Sequence, residues 1–341
     1  MKTTLHTLQA YRAFAAILVV LSHAYNINRE YFSKNEFPLL FSFGNAGVQF
    51  FFVLSGFIIF WAHQKDIGRR DQTLKYLYKR FIRIYPIYWF ITLSLLPFWL
   101  LFPNSGQPYH RQFLPLIKSL LLIPQSHGTH LSVGWTLTHE VLFYLVFAIL
   151  LFSRKLGAFL IGAWVLGILV AESLNGNDAF PSNFFLNPNN LLFPLGMLAG
   201  MAVLKFPVLR GRNGALVFLA GNVVFGITAF FNGSFTHSLS QIMSYGFGAF
   251  LIVAGGSCGL LENIFQKSRA LNFLGDASYS IYLIHYPVLS LLAKIFSRAD
   301  FSLKASLMFP LLVILALVSG ILLYVTVEKP LLERLRKFQP I

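Results

Sequence analysis

Residues 8–24 read LQAYRAFAAILVVLSHA, and the interpretation of the whole chain starts from this stretch. It is apolar enough to enter a membrane, yet it carries Arg12 near one end and His23 near the other. The two positions are eleven apart, which in an α-helix is about three turns and roughly 16 Å of rise, so both side chains lie on nearly the same face. An ionisable group inside a membrane segment is costly and marks a functional site by default.

The composition extends this reading from one segment to the whole chain. Of 341 residues, 56% are hydrophobic and only 11% are charged, whereas soluble domains have about 25% charged residues. The chain is therefore predicted to be an all-α, polytopic integral membrane helical bundle. The single cysteine, Cys258, excludes an intramolecular disulfide and a cysteine-ligated structural metal site, and no metal is predicted. The net charge of +15 fits basic cytoplasmic loops better than a nucleic-acid partner.

Apolar stretches of about 20 residues mark bilayer crossings. About ten are present, with soft ends near 7–26, 44–62, 84–103, 133–153, 156–174, 190–204, 214–231, 239–259, 276–296 and 305–326. A shorter apolar stretch, 113–124, contains Lys118 and predicts an interfacial or re-entrant helix. We treat residues 1–341 as a single membrane-embedded domain without an appended soluble domain.

The basic residues predict the orientation of these helices. Twenty of the 27 Lys and Arg residues fall on one side of this topology and seven on the other. Because cytoplasmic loops are enriched in Lys and Arg, the asymmetry places both termini and the loop 62–83 in the cytoplasm. It also requires an even number of crossings.

A cluster of positive charge precedes the third helix. It ends in RFIRIYP, where Arg80 and Arg83 are three residues apart and share a helix face. With Arg12 at the same membrane surface, these guanidiniums form a plausible phosphate clamp. The alternative is that they are ordinary positive-inside charges or contacts to anionic lipids.

The segment GWTLTHEVLFY places Glu140 in the fourth helix, at a depth compatible with that of His23. A carboxylate beside an imidazole fixes its tautomer and raises its basicity, as general-base catalysis requires. The alternative is a buried structural pair. His139 is a rival base, but it points about 100° away from Glu140 around the helix.

Two further segments carry polar groups in apolar surroundings. Ser55, beside a glycine in GVQFFFVLSGFII, could be a nucleophile, although small residues in membrane helices more often serve close packing. In GDASYSIYLIHYP, Ser278, Tyr282 and His285 share one helix face. This polar stripe should turn inward, either to line a substrate path or to bond neighbouring helices.

Taken together, these blocks resemble the acyltransferase-3 family, membrane O-acyltransferases that modify bacterial surface glycans. They are similar to its R…H opening helix and to its FFxxSG, RxxR, W…E…FY, SxYLxH and ExP motifs, in the same order. The matching residues are Arg12, His23, Ser55, Arg80, Arg83, Tyr85, Pro86, Trp135, Leu137, Glu140, Phe143, Tyr144, Ser280, Tyr282, Leu283, His285, Glu328 and Pro330.

Other details refine the resemblance. The GWTL form is similar to the branch that acylates exopolysaccharides, and without an esterase-like C-terminal domain the chain resembles the stand-alone form. Gln49 stands where the family often has an acidic residue and Thr136 where it often has Ser. Neither is therefore given a catalytic role.

The resemblance implies transfer of an acyl group, expected to be acetyl, from cytoplasmic acyl-CoA to a hydroxyl of a glycan or lipid-linked glycan. It implies a multi-pass protein of the bacterial inner membrane, in contact with lipids and without a permanently bound cofactor. The implied catalytic pair is His23 and Glu140, in which His23 deprotonates the hydroxyl and Glu140 orients it. The implied donor-binding residues are Arg12, Arg80, Arg83 and Tyr85, and the other site-lining residues are Ser55, Trp135, Ser280, Tyr282 and His285.

Two alternatives stay open at this point. Within the enzyme hypothesis, a covalent acyl-histidine handed on to the acceptor competes with direct attack. Outside it, a ten-helix protein with intramembrane Glu and His could be a proton-coupled transporter, for example of a lipid-linked sugar. Internal repeats and broken helices in matching halves would be typical of a transporter, and no convincing two-fold pattern is visible in the sequence.

Overall fold

The computed structural model describes residues 5–32, 41, 43–44, 46–102, 106–174, 179–231, 238–298 and 305–338, and within them all regular structure is helical. The α-helices are α1 His6–Phe32, α2 Ala46–His63, α3 Arg70–Leu101, α4 Phe113–Leu120, α5 Gly134–Phe152, α6 Arg154–Ser173, α7 Ser182–Phe185, α8 Leu192–Lys205, α9 Arg212–Phe231, α10 Leu239–Gly256, α11 Gly259–Phe265, α12 Arg269–Arg298, α13 Ala305–Leu323 and α14 Lys329–Leu335. A π-helical turn, Tyr324–Glu328, joins the last two.

The predicted polytopic all-α class is confirmed. In the described part of the chain, nine helices are long and apolar enough to cross a membrane, and they coincide with nine of the ten predicted spans. The remaining span, 190–204, falls on α8, which has 14 residues. That helix rises about 21 Å, less than the roughly 30 Å of a hydrocarbon core. The even number of crossings depends on α8 and stays a prediction.

Two local predictions have different outcomes. The short helix predicted within 113–124 is confirmed as α4. The prediction that residues 62–83 form a loop is wrong over most of its length, because α3 already begins at Arg70. Lys and Arg are good helix formers, and Tyr76 and Ile82 are buried on the inner side of this basic segment. The helix therefore continues through the positive charge.

The chain divides into two compact units, which are described separately. Unit 1 comprises Met1–Ala62 and Leu191–Leu322, and unit 2 comprises His63–Asn190 and Leu323–Ile341. The prediction of a single membrane domain over the whole chain stays a prediction.

Unit 1 is held together by close helix packing. α1 lies along α12, and α9 lies along α10. A Cβ atom at Gly56 of α2 would collide with the carbonyl oxygen of Phe193, and one at Gly196 of α8 would collide with that of Val53. The two backbones are therefore in contact, as small residues in membrane helices permit. This agrees with the packing interpretation of the glycine beside Ser55.

Unit 2 is built around α3 and α5, which pack against each other, with α6 on α5. α3 also anchors α4, whose last carbonyls have no partner inside their own helix. The hydroxyls of Tyr85 and Tyr88 and the indole N–H of Trp89 donate to the carbonyls of residues 119–121, at 3.1, 2.9 and 2.7 Å. Three donors from one face of α3 thus fix the end of the short helix.

Candidate functional site

Unit 1 contains a pair of histidines from two helices. His23 of α1 and His285 of α12 have ring nitrogens, Nδ1 and Nε2 respectively, 2.8 Å apart. Their ring centroids are 5.0 Å apart and their planes make an angle of 18°, so the two rings lie edge to edge in nearly one plane. His285 is completely buried, whereas His23 is partly exposed. A partly exposed histidine therefore packs against a fully buried one.

The polar stripe of α12 turns inward as predicted. Ser278, Ser280 and His285 are fully buried and Tyr282 is nearly so. The hydroxyl of Ser278 donates to the carbonyl of Gly275 in its own helix at 2.7 Å. Ser55 is partly exposed; its role and those of Ser280 and Tyr282 as site-lining residues stay predictions.

Arg12 lies at the N-terminal end of α1. Its guanidinium donates to Oε1 of Gln9 at 3.2 Å, and the Gln9 amide donates to Asp276 at 2.5 Å. The start of the helix is capped by the Glu262 carboxylate, which accepts the backbone N–H groups of residues 6 and 7. Arg12 is thus oriented through a glutamine, and it is partly exposed.

In unit 2, Arg80 is held by aromatic rings. Its guanidinium carbon lies 5.8 Å from the ring centroid of Tyr76 and 5.7 Å from that of Tyr144, in the range of cation–π contacts. Among the residues that the structure describes, no carboxylate pairs with it within 4.0 Å, and its buried Nε has no hydrogen-bond acceptor. In the described part of the chain Arg80 is thus a cation held by aromatic rings and not by an ion pair, as a ligand for an anionic group would be.

Arg80 lies alongside the middle of α5, and the inner-surface position predicted for it stays a prediction. Tyr144 is close to the midpoint of α5, which has 19 residues and a length of about 28 Å. At the end of α5, the guanidinium of Arg70 lies 4.4 Å from the ring centroid of Phe152. Arg80 is about 15 Å further along α3, so its guanidinium lies beside the middle of α5 rather than beside its end.

Glu140 belongs to the same network. The Tyr144 hydroxyl donates to its carboxylate at 2.5 Å, and the Tyr76 hydroxyl donates to the backbone carbonyl of Tyr144 at 3.3 Å. Tyr144 thus contacts both the predicted catalytic carboxylate of Glu140 and the guanidinium of Arg80. Because His23 lies in the other unit, the predicted pairing of Glu140 with His23 stays a prediction.

Arg83 has a partner that the sequence analysis did not assign. Its Nη1 lies 2.6 Å from Oε1 of Glu328, a carboxylate with only 1% of its side chain exposed. Glu328 sits on the π-helical turn before α14, and such turns are frequent at functional sites. The sequence signal that could have indicated this pair is the presence of both motifs, since Arg83 ends the RxxR motif and Glu328 begins the ExP motif. The pairing competes with the predicted phosphate contact of Arg83.

Three other predicted or rival residues have structural partners in unit 2. Tyr85 donates to the end of α4, as described above, which competes with a role at the donor. The rival base His139 bonds to Asn190 at 2.8 Å and stacks on Phe184. Trp135 is 40% exposed near the start of α5 and lies edge-on to His139. Its role as a site-lining residue stays a prediction.

A histidine cluster between α3 and α5 had no specific signal in the sequence. His110 stacks on Trp99, His127 stacks on Tyr109, and His130 contacts both aromatic rings edge-on. Burial, with smaller contributions from His130 and His127, lowers the pKa of His110 to about 4, so its ring is neutral at pH 7. Among the described residues, no three His, Cys, Asp or Glu side chains are placed to hold a metal ion.

Comparison with known proteins shows which family the sequence matches. A family profile described as an acyltransferase domain matches residues 5–325. The chain is 31% identical over 315 residues to the exopolysaccharide production protein ExoZ of Rhizobium meliloti (strain 1021), covering 86% of this chain and 91% of that protein. It is 24% identical over 375 aligned residues to the acyltransferase MdmB of Streptomyces mycarofaciens, covering 99% of this chain and 94% of that protein. No solved structure matched the chain.

Proposed function

The chain belongs to the acyltransferase-3 family, and on that premise we propose that it is an acyl-CoA-dependent membrane O-acyltransferase. It moves an acyl group, expected to be acetyl, to a hydroxyl of a bacterial cell-surface or exported glycan. The similarity to an exopolysaccharide production protein supports a glycan acceptor. The observation that carries the chemistry is His23, a partly exposed imidazole held at fixed geometry on a membrane-spanning helix.

The transfer needs one proton acceptor. His23 takes the proton of the acceptor hydroxyl while the hydroxyl oxygen attacks the thioester carbonyl carbon. The carbon–sulfur bond then breaks, and the proton leaves with the sulfur as CoA thiol, so the products are an ester and free CoA. In the alternative path His23 first attacks the thioester itself and passes the acyl group to the acceptor. Both paths use a lone pair of the same imidazole.

The donor carries phosphates, which require cations. Arg80 is the strongest candidate ligand, because the described residues leave its charge without a carboxylate, and charge-assisted bonds to phosphate are strong. Arg12 is proposed as a second ligand. Direct roles for Arg83 and Tyr85 at the donor stay predictions, since each has another partner.

The experiment that tests this function measures free CoA released from acetyl-CoA by the purified protein in lipid vesicles, with and without an exopolysaccharide acceptor. Acceptor-dependent release with formation of an O-acetyl ester supports the proposal. Movement of a lipid-linked sugar across the vesicle membrane without thioester cleavage would instead support the proton-coupled transporter, and would overturn the enzyme.

The role of Arg80 is tested by Arg80→Ala. We expect the KM for acyl-CoA to rise roughly 10- to 100-fold, because charge-assisted hydrogen bonds are worth about 1.5–3 kcal/mol. Steady-state kinetics at saturating acceptor measure it. Arg70→Ala is the matched control, since it removes an exposed cation of the same helix and should leave the KM unchanged. An unchanged KM in Arg80→Ala would return this residue to the positive-inside explanation.

The proposed location is the bacterial inner membrane, with both termini in the cytoplasm. The basic asymmetry predicts that Arg70→Cys and Gln339→Cys (the latter outside the described residues) stay unlabelled by an impermeant thiol reagent applied to intact cells. Arg111→Cys, on the predicted outer side and exposed, should label and serves as the control. The native Cys258 is buried and adds little background. Labelling of either cytoplasmic position would show that the orientation is wrong.

A further inference from the structure

We propose that His285 is the positioning residue of this enzyme: it fixes the tautomer of His23, so that Nε2 of His23 is the reacting atom. The inference rests on the proposed function for its catalytic meaning, although its geometry does not. It gives to His285, which the sequence placed only among site-lining residues, the orienting role expected of Glu140.

The first step is the proton on His285. Its Nδ1 lies 2.6 Å from the carbonyl oxygen of Tyr282 and 3.2 Å from that of Ile281. A carbonyl oxygen only accepts hydrogen bonds, so Nδ1 must carry the proton. In the neutral ring the other nitrogen, Nε2, then has a lone pair and can only accept.

The second step follows from the 2.8 Å distance between Nε2 of His285 and Nδ1 of His23. Since Nε2 of His285 accepts, the bond must be donated by Nδ1–H of His23. The neutral His23 ring then has no proton on Nε2. Its lone pair there is the basic and nucleophilic atom, whichever transfer path operates.

The third step is rigidity. His285 is completely buried and is bonded on both of its ring nitrogens, so it cannot turn without losing both partners. His23 is further held by the edge of Tyr286, with ring centroids 5.3 Å apart. When Nε2 of His23 takes the acceptor proton, the positive charge is stabilised by the lone pair of His285 across the existing bond. The proton then returns to the departing sulfur, and both rings are neutral again.

The direct test is ¹⁵N NMR of the full-length protein, labelled at histidine and reconstituted in lipid vesicles, with the His23 signals assigned by their loss in His23→Gln. We expect Nδ1 of His23 to be protonated and Nε2 unprotonated in the resting protein. In His285→Leu, protonation should shift toward Nε2. His139→Leu, which removes another buried imidazole with a different partner, should leave the His23 signals unchanged. A proton on Nε2 of His23 in the unmodified protein would overturn the inference.

Kinetics give the catalytic part of the test. His285→Leu should lower kcat by about 10²-fold or more, since misdirecting the proton of a catalytic histidine costs up to about 10⁴ in serine proteases. The donor KM should stay within about twofold, because no donor contact is removed. His285→Gln, whose amide oxygen can accept from Nδ1–H of His23, should recover at least about tenfold of that loss. If His285 only stabilised the fold, kcat per folded molecule would not differ between His285→Leu and His285→Gln.

The outcomes keep this inference apart from the proposed function. If the unmodified protein never cleaves acyl-CoA, the proposed function fails while the NMR measurement still decides the tautomer. If the protein turns over normally but His285→Leu retains kcat within about threefold, the positioning role fails and the acyltransferase stands.

Discussion

Replacing His23 by alanine should lower kcat by about 10²–10⁴-fold, the usual cost of losing a general base. The fold and the donor KM should be largely preserved, because His23 is partly exposed and its one described hydrogen-bond partner on another helix is His285. Turnover per folded molecule, set beside thermal unfolding in detergent, measures the effect. Asn26→Ala, an exposed position on the same helix, is the control and should keep full activity.

The contrary outcome is specific. A purely structural His23 predicts poor expression or a lowered melting temperature, with the activity of the folded fraction intact. Turnover above about a tenth of the unmodified rate, well short of the smallest loss expected for a base, would remove His23 from the chemistry. His285 would then be the next candidate.

The predicted partnership of Glu140 is tested on the same background. Glu140→Gln keeps the side-chain volume and removes the charge, so it should slow the same step. If the two residues act as one unit, the double variant His23→Ala/Glu140→Gln should lose much less than the product of the single losses. If the loss in the double variant equals the product of the two single losses, Glu140 and His23 act independently. Glu140 would then be assigned only to the contacts with Tyr144 and Arg80.

Replacing Arg83 by alanine should produce the largest loss of stability. It would remove the cation that lies 2.6 Å from the buried Glu328 carboxylate, and breaking a buried ion pair typically costs about 3–5 kcal/mol. Thermal unfolding in detergent should show a strongly lowered Tm. The double variant Arg83→Met/Glu328→Leu should recover most of it, since an apolar replacement of similar volume removes both charges together.

The control is the exposed ion pair of Arg69 and Asp71, whose side chains are 55% and 61% accessible. Arg69→Ala should hardly move the Tm, because exposed pairs contribute little. If Arg83→Ala instead raises the donor KM by tenfold or more at unchanged Tm, Arg83 is a phosphate ligand as the sequence predicted. A purely structural role for the Arg83–Glu328 ion pair would then be excluded.

Much of this could be predicted without coordinates, because it depends on local chemistry. A continuous apolar run of about 20 residues that crosses a bilayer must satisfy its backbone hydrogen bonds within the segment, and a helix does so. The same logic made the polar stripe of Ser278, Tyr282 and His285 turn inward, and their burial confirms it. The start of α3 at Arg70 differs from the predicted loop, because Lys and Arg favour helices despite their charge.

The sequence by itself determined the membrane class, nine of its ten predicted spans as the described residues show them, the motif residues and the candidate base, because each follows from the period and polarity of one segment. Only the tertiary structure decided which side chains meet across helices. It paired His23 with a histidine on α12 and placed Arg80 alongside the middle of α5. It also paired Arg83 with Glu328, whereas Arg80 contacts aromatic rings. Such contacts join residues as many as 267 positions apart. They depend on how helices cross and at what depth, which no single segment encodes.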